Sequence, residues 1–402
     1  MLTTLYEKVF IDGFHKPSYV VATLALARPL DPIALTRAIV STLERHPRLR
    51  SLTREWLGVP VALVPRPAEE WPARGGLRVL ESADLHALEE RLLGTPLDLR
   101  SAMPLEVHLV GDPLALVVKV HHAVIDATSG FALLHDFVGI VDGVTPAPRR
   151  PRAALSRARR ALDWVARAQL RPRVPDVSVT ASYQPAHALE HEPVTYTERV
   201  IRGAHPRMVH SARLRGATFF ELVASALLSA MSDYNTTRAS SPPRDVGLMF
   251  ARARPRSRQG DVSFGADTCV VSMPAARLAV PHHPATLAEL RRAARDPRHN
   301  DLALAALYAT RKVQGRAREP KAQTALGFTL SDLTAFGRTT KRPSGALRAT
   351  DVRVLASPTS FDHAGMLVSR FGDDLRLALV AHRGAVDADA LLSSTLEHLE
   401  ES

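Results

Sequence analysis

Residues 114–137, LALVVKVHHAVIDATSGFALLHDF, join a strand pattern to a helix pattern and carry two adjacent histidines at the junction. The first seven residues are almost all apolar, which is typical of a strand that is buried on both faces. From Phe131 onward, apolar residues return at helical spacing. Because a loop at the end of a buried strand can present side chains in a cleft, we expect His121 and His122 to lie beside one.

The two histidines are expected to have different surroundings. Consecutive residues of an extended chain point to opposite faces, so one ring can face a cleft while the other packs inward. Asp126, four residues after His122, can orient the turn or pair with a buried arginine. Taken alone, the pattern favours a structural histidine pair over a catalytic one, because short motifs often match by chance.

The bulk composition predicts a globular protein with more than one core. The chain has 402 residues, of which 46% are hydrophobic and 23% charged, and this length exceeds the usual limit for a single core. A lone cysteine, Cys269, excludes an internal disulfide framework and fits a reducing compartment. We see no signal-peptide pattern and no apolar run of the roughly 18 residues that span a membrane, so we expect a cytoplasmic protein without a transmembrane segment.

The net charge limits the classes of partner. The formal charge is +11, supplied mainly by arginine, while aromatic residues make up only 5% of the chain. Without a recognisable nucleic-acid module, this composition argues against DNA or RNA binding. Phosphate-bearing small molecules and acidic proteins both fit a basic surface. The arginine content is equally compatible with the base composition of the source genome.

Strand and helix patterns are mixed along the chain, which predicts an α/β (α+β) class with two comparable halves. Residues 31–46 predict a helix capped by Asp31, and residues 82–93 predict a second helix with Ser82 as its cap. In the second half, a hairpin is expected around Gly372. The predicted domains are an N-terminal lobe (1–150), a basic linker (151–193) and a C-terminal lobe (194–402).

Several standard sites are missing from the sequence. There is no Gly-x-Ser-x-Gly elbow, no P-loop and no Gly-x-Gly-x-x-Gly turn. His187 and His191 have a metal-like spacing, but they lie in the polar connector and are interpreted as surface residues. His282 and His283 lie in a loop flanked by prolines and are also expected to be exposed. The sequence therefore predicts no metal site.

The residues His121, His122 and Asp126, followed by Ala127, form a His-His-x-x-x-Asp pattern. It resembles the His-His-x-x-x-Asp-Gly signature of nonribosomal-peptide condensation domains and their stand-alone acyltransferase relatives. These relatives include polyketide-associated acyltransferases, wax-ester synthases and chloramphenicol acetyltransferase. Ala127 departs from the family's glycine, which is harmless if this position is helical and unfavourable if its φ is positive.

Three other segments carry the same resemblance, so it covers nearly the whole chain. Arg45, His46, Leu49 and Arg50 are similar to the family's Arg-His-x-x-Leu-Arg segment, and TPLDLRSAMPLEVHLV is similar to its approach to the histidine strand. In the second half, FTLSDLTAFG is similar to the family's Ser-Asn segment, with Asp332 in place of the asparagine.

The resemblance implies two chloramphenicol-acetyltransferase-like lobes in a V, with a tunnel along their seam. It implies that His122 is the general base and that His121 packs away from the tunnel. Asp126 would pair with an arginine, with Arg50 preferred and Arg45 second. Candidate oxyanion or tunnel groups are Ala127, Ser129, Gly130 and Ser331.

The resemblance also implies the reaction. An acyl group would pass from a coenzyme A or phosphopantetheinyl carrier-protein thioester, used as co-substrate, to the hydroxyl or amine of a natural-product or lipid acceptor. No bound cofactor is implied, and an acidic carrier protein is the expected partner. A stand-alone enzyme of polyketide, peptide or lipid-ester biosynthesis is favoured. The alternatives are a catalytically silent member that binds a carrier protein and a member recruited for another reaction, such as cyclisation.

Overall fold

The computed structural model of the chain describes residues 18–56, 59–143, 192–238, 244–253, 266–295, 328–334, 348–358 and 364–400. Strands and helices are mixed in both halves of these ranges, which confirms the predicted α/β class. The strands are β1 (Tyr19–Leu26), β2 (Ser51–Trp56), β3 (Val59–Pro65), β4 (Leu77–Leu80), β5 (Leu105–Val110), β6 (Ala115–His121), β7 (Val194–Ile201), β8 (Asp245–Ala253), β9 (Ala266–Pro274), β10 (Phe328–Asp332), β11 (Ala349–Ala356), β12 (Ala364–Phe371) and β13 (Asp374–His382). The α-helices are α1 (Pro32–Arg45), α2 (Glu70–Ala73), α3 (Leu85–Gly94), α4 (Ala127–Val141), α5 (Ala204–Leu214), α6 (Phe219–Arg238), α7 (Ala275–Leu278), α8 (Pro284–Arg295) and α9 (Ala388–Glu400).

The first sheet places the histidine strand at its centre. Its order is β11-β1-β6-β5-β4, with β1 antiparallel to both of its neighbours and β4 parallel to β5. All but one of the residues of β6 are buried, which explains why this strand is apolar on both faces. In the β1–β6 register, His121 lies opposite Tyr19.

The second sheet has the order β7-β13-β12-β10-β8-β9. Its β12–β13 hairpin confirms the turn predicted around Gly372, where the backbone has a φ of 64° that only glycine adopts without strain. The long helix α6 lies in the core of this half, and α5, α8 and α9 pack against it.

One strand crosses from the second half of the chain into the first sheet. β11 pairs with β1, with Val20 opposite Ala356, so chain order and sheet order differ at this point. The predicted linker, residues 151–193, lies almost entirely outside the described residues, as do His187 and His191. The domain boundaries therefore stay a prediction.

The ends of two helices test the capping predictions. Asp31 caps α1 as predicted, because its carboxylate accepts hydrogen bonds from the backbone N–H groups of residues 33 and 34. The predicted start of the next helix at Ser82 is wrong. The carboxylate of Asp84 accepts the N–H groups of residues 86 and 87 and starts α3 at Leu85.

The prediction that His282 is exposed is also wrong. Its backbone N–H donates to Ser225 Oγ at 3.2 Å, and its ring Nε2 lies 2.9 Å from the carbonyl oxygen of His398. These contacts keep the residue buried. Its backbone φ is 56°, a value that is uncommon for residues other than glycine. His283 is exposed as predicted.

No single helix in the described ranges is long and apolar enough to cross a membrane. The pair α5 and α6 meets the criteria of length and composition only when taken together, and the two helices are bent by 90° at the break between them. Most of α6 is buried in the core of the second half.

A buried carboxylate lies where the two sheets meet. Glu89, on α3, is fully buried and accepts hydrogen bonds from the hydroxyls of Thr23 on β1 and Tyr196 on β7. Arg353 on β11 donates to both of its carboxylate oxygens, at 3.0 and 2.7 Å. This carboxylate therefore links a helix of the first half to strands of both sheets.

The same guanidinium extends the ion network into the second sheet. Arg353 also binds Glu198 on β7 through two hydrogen bonds, at 2.9 and 2.7 Å. Glu198 accepts a further bond of 2.7 Å from Arg376 on β13, which in turn binds Asp351 on β11. The network crosses from one sheet to the other at two points.

Candidate active site

The histidines lie where β6 ends. His121 is the last residue of the strand, and His122 opens a 3₁₀ turn, His122–Val124, that leads to α4. The side chain of His121 is buried, whereas His122 is partly exposed. The structure thus gives the two rings the different surroundings that the extended geometry predicts.

The ring of His121 is buried in the protein interior. Its Nδ1 accepts a hydrogen bond of 3.1 Å from the backbone N–H of Ala123, and its edge contacts the ring of Tyr19 at a centroid distance of 5.3 Å. Burial, with smaller contributions from the charges of His122 and Lys119, lowers the pKa of His121 to about 3. The neutral ring therefore carries its proton on Nε2 and acts as a structural acceptor.

This burial predicts a pH dependence of stability. The pKa of His121 falls from 6.5 in the unfolded chain to about 3 in the folded protein, so its contribution is complete above pH 6.5 and is lost as the pH falls toward 3. At 1.36 kcal/mol per unit, the loss amounts to roughly 4–5 kcal/mol. Denaturant unfolding between pH 7 and pH 4 should show a flatter pH dependence for His121→Asn, whose side chain does not titrate. Parallel curves for the two proteins would contradict this assignment.

Lys119, two residues before His121 on β6, is also buried. The ammonium of Lys119 donates to the carbonyl oxygen of Thr95 and lies 4.2 Å from the centroid of the Tyr19 ring. The hydroxyl of Tyr19 accepts the N–H of Leu97 at 2.7 Å. Burial lowers the pKa of Lys119 to about 8 and raises that of Tyr19 to about 12. These two residues anchor the segment TPLD to β6 and β1, a role that the sequence did not predict.

His122 has the surroundings of a neutral base. Its backbone N–H donates to the carbonyl oxygen of Ser18 at 2.9 Å, and its own carbonyl accepts the N–H of Ile125 at 3.3 Å. Burial holds the pKa of the ring below its ordinary value of 6.5, although hydrogen bonds to the backbone of residues 122 and 125 and the charge of Asp126 raise it. The imidazole is therefore mainly neutral near pH 7 and able to accept a proton.

The preferred partner of Asp126 was predicted wrongly. Arg50 donates to the carbonyl oxygens of Leu43, at 3.1 Å, and Arg66. Its guanidinium thus binds one carbonyl in the last turn of α1 and one after β3, and it does not pair with Asp126. Asp126 itself is buried at the start of α4, and its carbonyl accepts the N–H of Gly130 at 2.8 Å.

Arg45 contacts Asp136, and its predicted pairing with Asp126 stays a prediction. Asp136, on α4, is buried and lies 3.0 Å from Nε2 of His46 and 3.4 Å from Nε of Arg45. The cluster fixes the helix that follows the histidine turn against α1. Sequence reasoning missed Asp136, although it stands within the stretch LLHDF, where an acidic residue on an otherwise apolar helix was the available signal.

Replacing Asp136 by asparagine should therefore loosen the packing of α4. Hydrogen bonds to charged groups contribute about 1.5–3 kcal/mol, and we expect Asp136→Asn to lower the free energy of unfolding by ~1–3 kcal/mol. The matched control is Asp389→Asn, which removes an exposed ion pair with Arg199 and should change stability by less than about 1 kcal/mol. Equal effects of the two substitutions in denaturant unfolding would contradict the proposed support.

The candidate oxyanion groups that follow the histidines are backbone N–H groups at the start of α4. Ala127 is the first residue of α4, so alanine is accommodated in helical backbone. The N–H of Gly130 already donates to the carbonyl of Asp126, which removes it as a donor. The N–H groups of Ala127 and Ser129 lie in the first turn, where a helix offers them no acceptor of its own.

The second-half candidates lie on β10. Ser331 is partly buried and stands opposite Leu367 of β12; its role stays a prediction. Asp332 is exposed, and its carboxylate accepts hydrogen bonds from the N–H and hydroxyl of Thr334, at 2.9 and 2.7 Å. Its charge is therefore bound within a local turn.

Comparison with known proteins finds one matching family model and a set of solved structures with a similar fold. The family model of the wax ester synthase/diacylglycerol acyltransferase catalytic domain matches residues 72–233, which include both histidines and Asp126. The condensation domain of the monacolin K polyketide synthase MokA is similar over 98% of this chain and 94% of its own, with a TM-score of 0.67 and 16% identity. The chain therefore has the fold of the condensation domains.

Other solved structures have TM-scores in the same range. Polyketide synthase associated protein 5 from Mycobacterium tuberculosis has a TM-score of 0.60 at 15% identity, over 99% of this chain and 96% of its own. The EpoB cyclization-docking bidomain from Sorangium cellulosum has a TM-score of 0.64 at 16% identity, over 100% and 83%. No curated protein sequence matches the chain. The predicted α/β class and the predicted resemblance to condensation domains are confirmed at the level of the fold.

Proposed function

We propose that the chain is an acyltransferase that moves an acyl group from a coenzyme A or carrier-protein thioester to a hydroxyl or amine of a lipid or natural-product acceptor. The observation that carries the proposal is the placement of His122. Its partly exposed, mainly neutral imidazole follows a central buried strand and precedes the first turn of α4. The match to an acyltransferase family model over this segment supports the same reaction.

In the proposed reaction, His122 acts as general base and then as general acid. Its imidazole takes the proton of the acceptor hydroxyl or amine while the acceptor oxygen or nitrogen bonds to the thioester carbonyl carbon. The C–S bond then breaks, and the imidazolium returns the proton to the leaving thiolate. The products are an ester or amide and a free thiol. A positioned base of this kind contributes about 10²–10⁴-fold to the rate.

The surrounding residues would orient the base and stabilise charge. His121 fixes the turn through Ala123, and Asp126 lies close enough for its charge to act on the His122 ring. The N–H groups of Ala127 and Ser129 would stabilise the oxyanion, because first-turn N–H groups and the helix dipole favour negative charge at the N-terminal end of α4. Ser331 remains a second-half candidate for the same role.

The family model and the solved structures favour different substrates. The similarity to the wax ester synthase/diacylglycerol acyltransferase model favours a lipid alcohol as acceptor, whereas the similarity to condensation domains of a polyketide synthase and an antibiotic synthetase favours a natural-product acceptor. The net charge of +11 supports either anionic donor. The buried, single Cys269 is compatible with our proposed cytoplasmic location.

Purified full-length protein, incubated with acyl-coenzyme A or an acyl carrier protein and a panel of alcohols and amines, tests this function. Mass spectrometry of the ester or amide, together with release of free thiol, identifies the donor. Carrier binding without product from any donor would favour the silent, carrier-binding alternative. A cyclised product of the donor alone would favour the recruited-reaction alternative.

A further inference from the structure

Three strand ends meet beside the backbone of His122. β6 ends at the histidines, β1 begins after Ser18, and β11, which comes from the second half of the chain, ends before Ser357. Both serines are buried, with exposures of 2% and 6%. They are separated by 339 residues in sequence, so their contact is a property of the fold alone.

Hydrogen bonds connect these serines to the base in a continuous chain. The N–H of His122 donates to the carbonyl oxygen of Ser18 at 2.9 Å. The hydroxyl of Ser18 donates to the carbonyl oxygen of Ser357 at 3.1 Å. Ser357 Oγ accepts the N–H of Tyr19 at 2.7 Å, and the Ser357 N–H donates to the Tyr19 carbonyl at 2.8 Å.

We propose that Ser357 and Ser18 are positioning residues for His122, a role that rests on the proposed function. Ser357 fixes the position of Ser18 and Tyr19, and the Ser18 carbonyl fixes the point at which the His122 backbone leaves β6. The second half of the chain thereby contributes to the placement of the base through the backbone of residues 18 and 19. A displacement of about 1 Å at a catalytic group can cost 10²-fold in rate, so this anchoring has a measurable consequence.

Removal of the Ser357 hydroxyl takes away the acceptor of a buried N–H. In Ser357→Ala, the Tyr19 N–H loses its hydroxyl partner, and the three strand ends must shift to let water or another group replace it. We expect kcat to fall by about 10–100-fold with KM nearly unchanged, because the base moves while the substrate surface stays in place. Ser357→Thr keeps the hydroxyl and should retain most of the wild-type kcat.

The matched control is Ser229→Ala, which removes another buried serine hydroxyl from α6 of the second half. It should leave kcat near the wild-type value. Ser18→Ala removes the donor to the Ser357 carbonyl while the Ser18 carbonyl stays in place, and should reduce kcat in the same direction. It provides a second test if Ser357→Ala does not fold.

A titration of the His122 ring separates positioning from general damage. Burial holds the pKa of this ring below 6.5, so a displaced ring with more access to water should titrate closer to 6.5. NMR of histidine-labelled protein should therefore show a raised His122 pKa in Ser357→Ala and a wild-type value in Ser357→Thr and Ser229→Ala. An unchanged His122 pKa in folded Ser357→Ala, or a kcat equal to that of wild type, would overturn the proposal. The titration needs no substrate, so absence of acyl transfer in the wild-type protein would count against the proposed function and not against this positioning.

Discussion

Replacing His122 by alanine is expected to lower kcat/KM for acyl transfer by ~10²–10⁴-fold, the contribution of a positioned general base. The structure gives the reason: His122 is a partly exposed, mainly neutral imidazole at the end of a central strand. Its backbone, which fixes the turn by hydrogen bonding to Ser18 and Ile125, is unchanged by the substitution. The free energy of unfolding should therefore fall less than in a variant that removes the fully buried ring of His121.

The neighbouring histidine provides the contrast for this experiment. His121→Ala removes a buried ring that accepts a hydrogen bond from Ala123 and packs against Tyr19, so its main effect should be on stability. Steady-state kinetics and denaturant unfolding of both variants separate the two roles. A His122→Ala protein that retains wild-type turnover on every accepted donor would remove His122 as the base.

Replacing Arg353 by methionine is expected to destabilise the protein by ~3–5 kcal/mol, the usual consequence of removing one partner of a buried ion pair. Arg353 donates to both oxygens of Glu89, whose side chain is fully buried, and to both oxygens of Glu198. Methionine keeps much of the apolar stem but supplies no donor. The carboxylate of Glu89 would then remain buried with its hydroxyl partners alone.

The double variant Arg353→Met with Glu89→Gln tests this explanation. Because glutamine carries no charge to bury, the double variant should be more stable than Arg353→Met alone. Arg199→Met is the matched control, since Arg199 forms an exposed pair with Asp389 that is worth less than about 1 kcal/mol. If Arg353→Met and Arg199→Met destabilise the protein equally, the ion network of Arg353, Glu89 and Glu198 has no special role in stability.

The sequence predicted those features that depend on local pattern. The apolar run LALVVKV is a central strand because both of its faces are covered, and Asp31 caps a helix because its carboxylate meets the first N–H groups. The His-His-x-x-x-Asp pattern, with its companion segments, predicted the condensation-domain fold that the comparisons show over nearly the whole chain. In each case the signal is carried by residues that are close together in sequence.

Contacts between distant residues were not predictable in the same way. The pairing of β11 with β1 and the bond between Glu89 and Arg353, 264 residues apart, depend on how the two halves pack. Arg50 was assigned to Asp126 because both belong to motifs, yet its guanidinium reaches the nearer carbonyls of Leu43 and Arg66. A motif fixes residue types, but the partner of a long, flexible side chain is decided by the final packing.

The pH dependence of kcat/KM, measured for the wild-type protein beside His122→Ala, tests the central claim most directly. Burial lowers the pKa of His122, and only the neutral ring can accept the acceptor's proton. The wild-type rate should therefore fall toward acid with a midpoint below 6.5, and this acidic limb should be missing from the residual rate of His122→Ala. The same acidic limb in both proteins, or a wild-type midpoint above 6.5, would contradict the account.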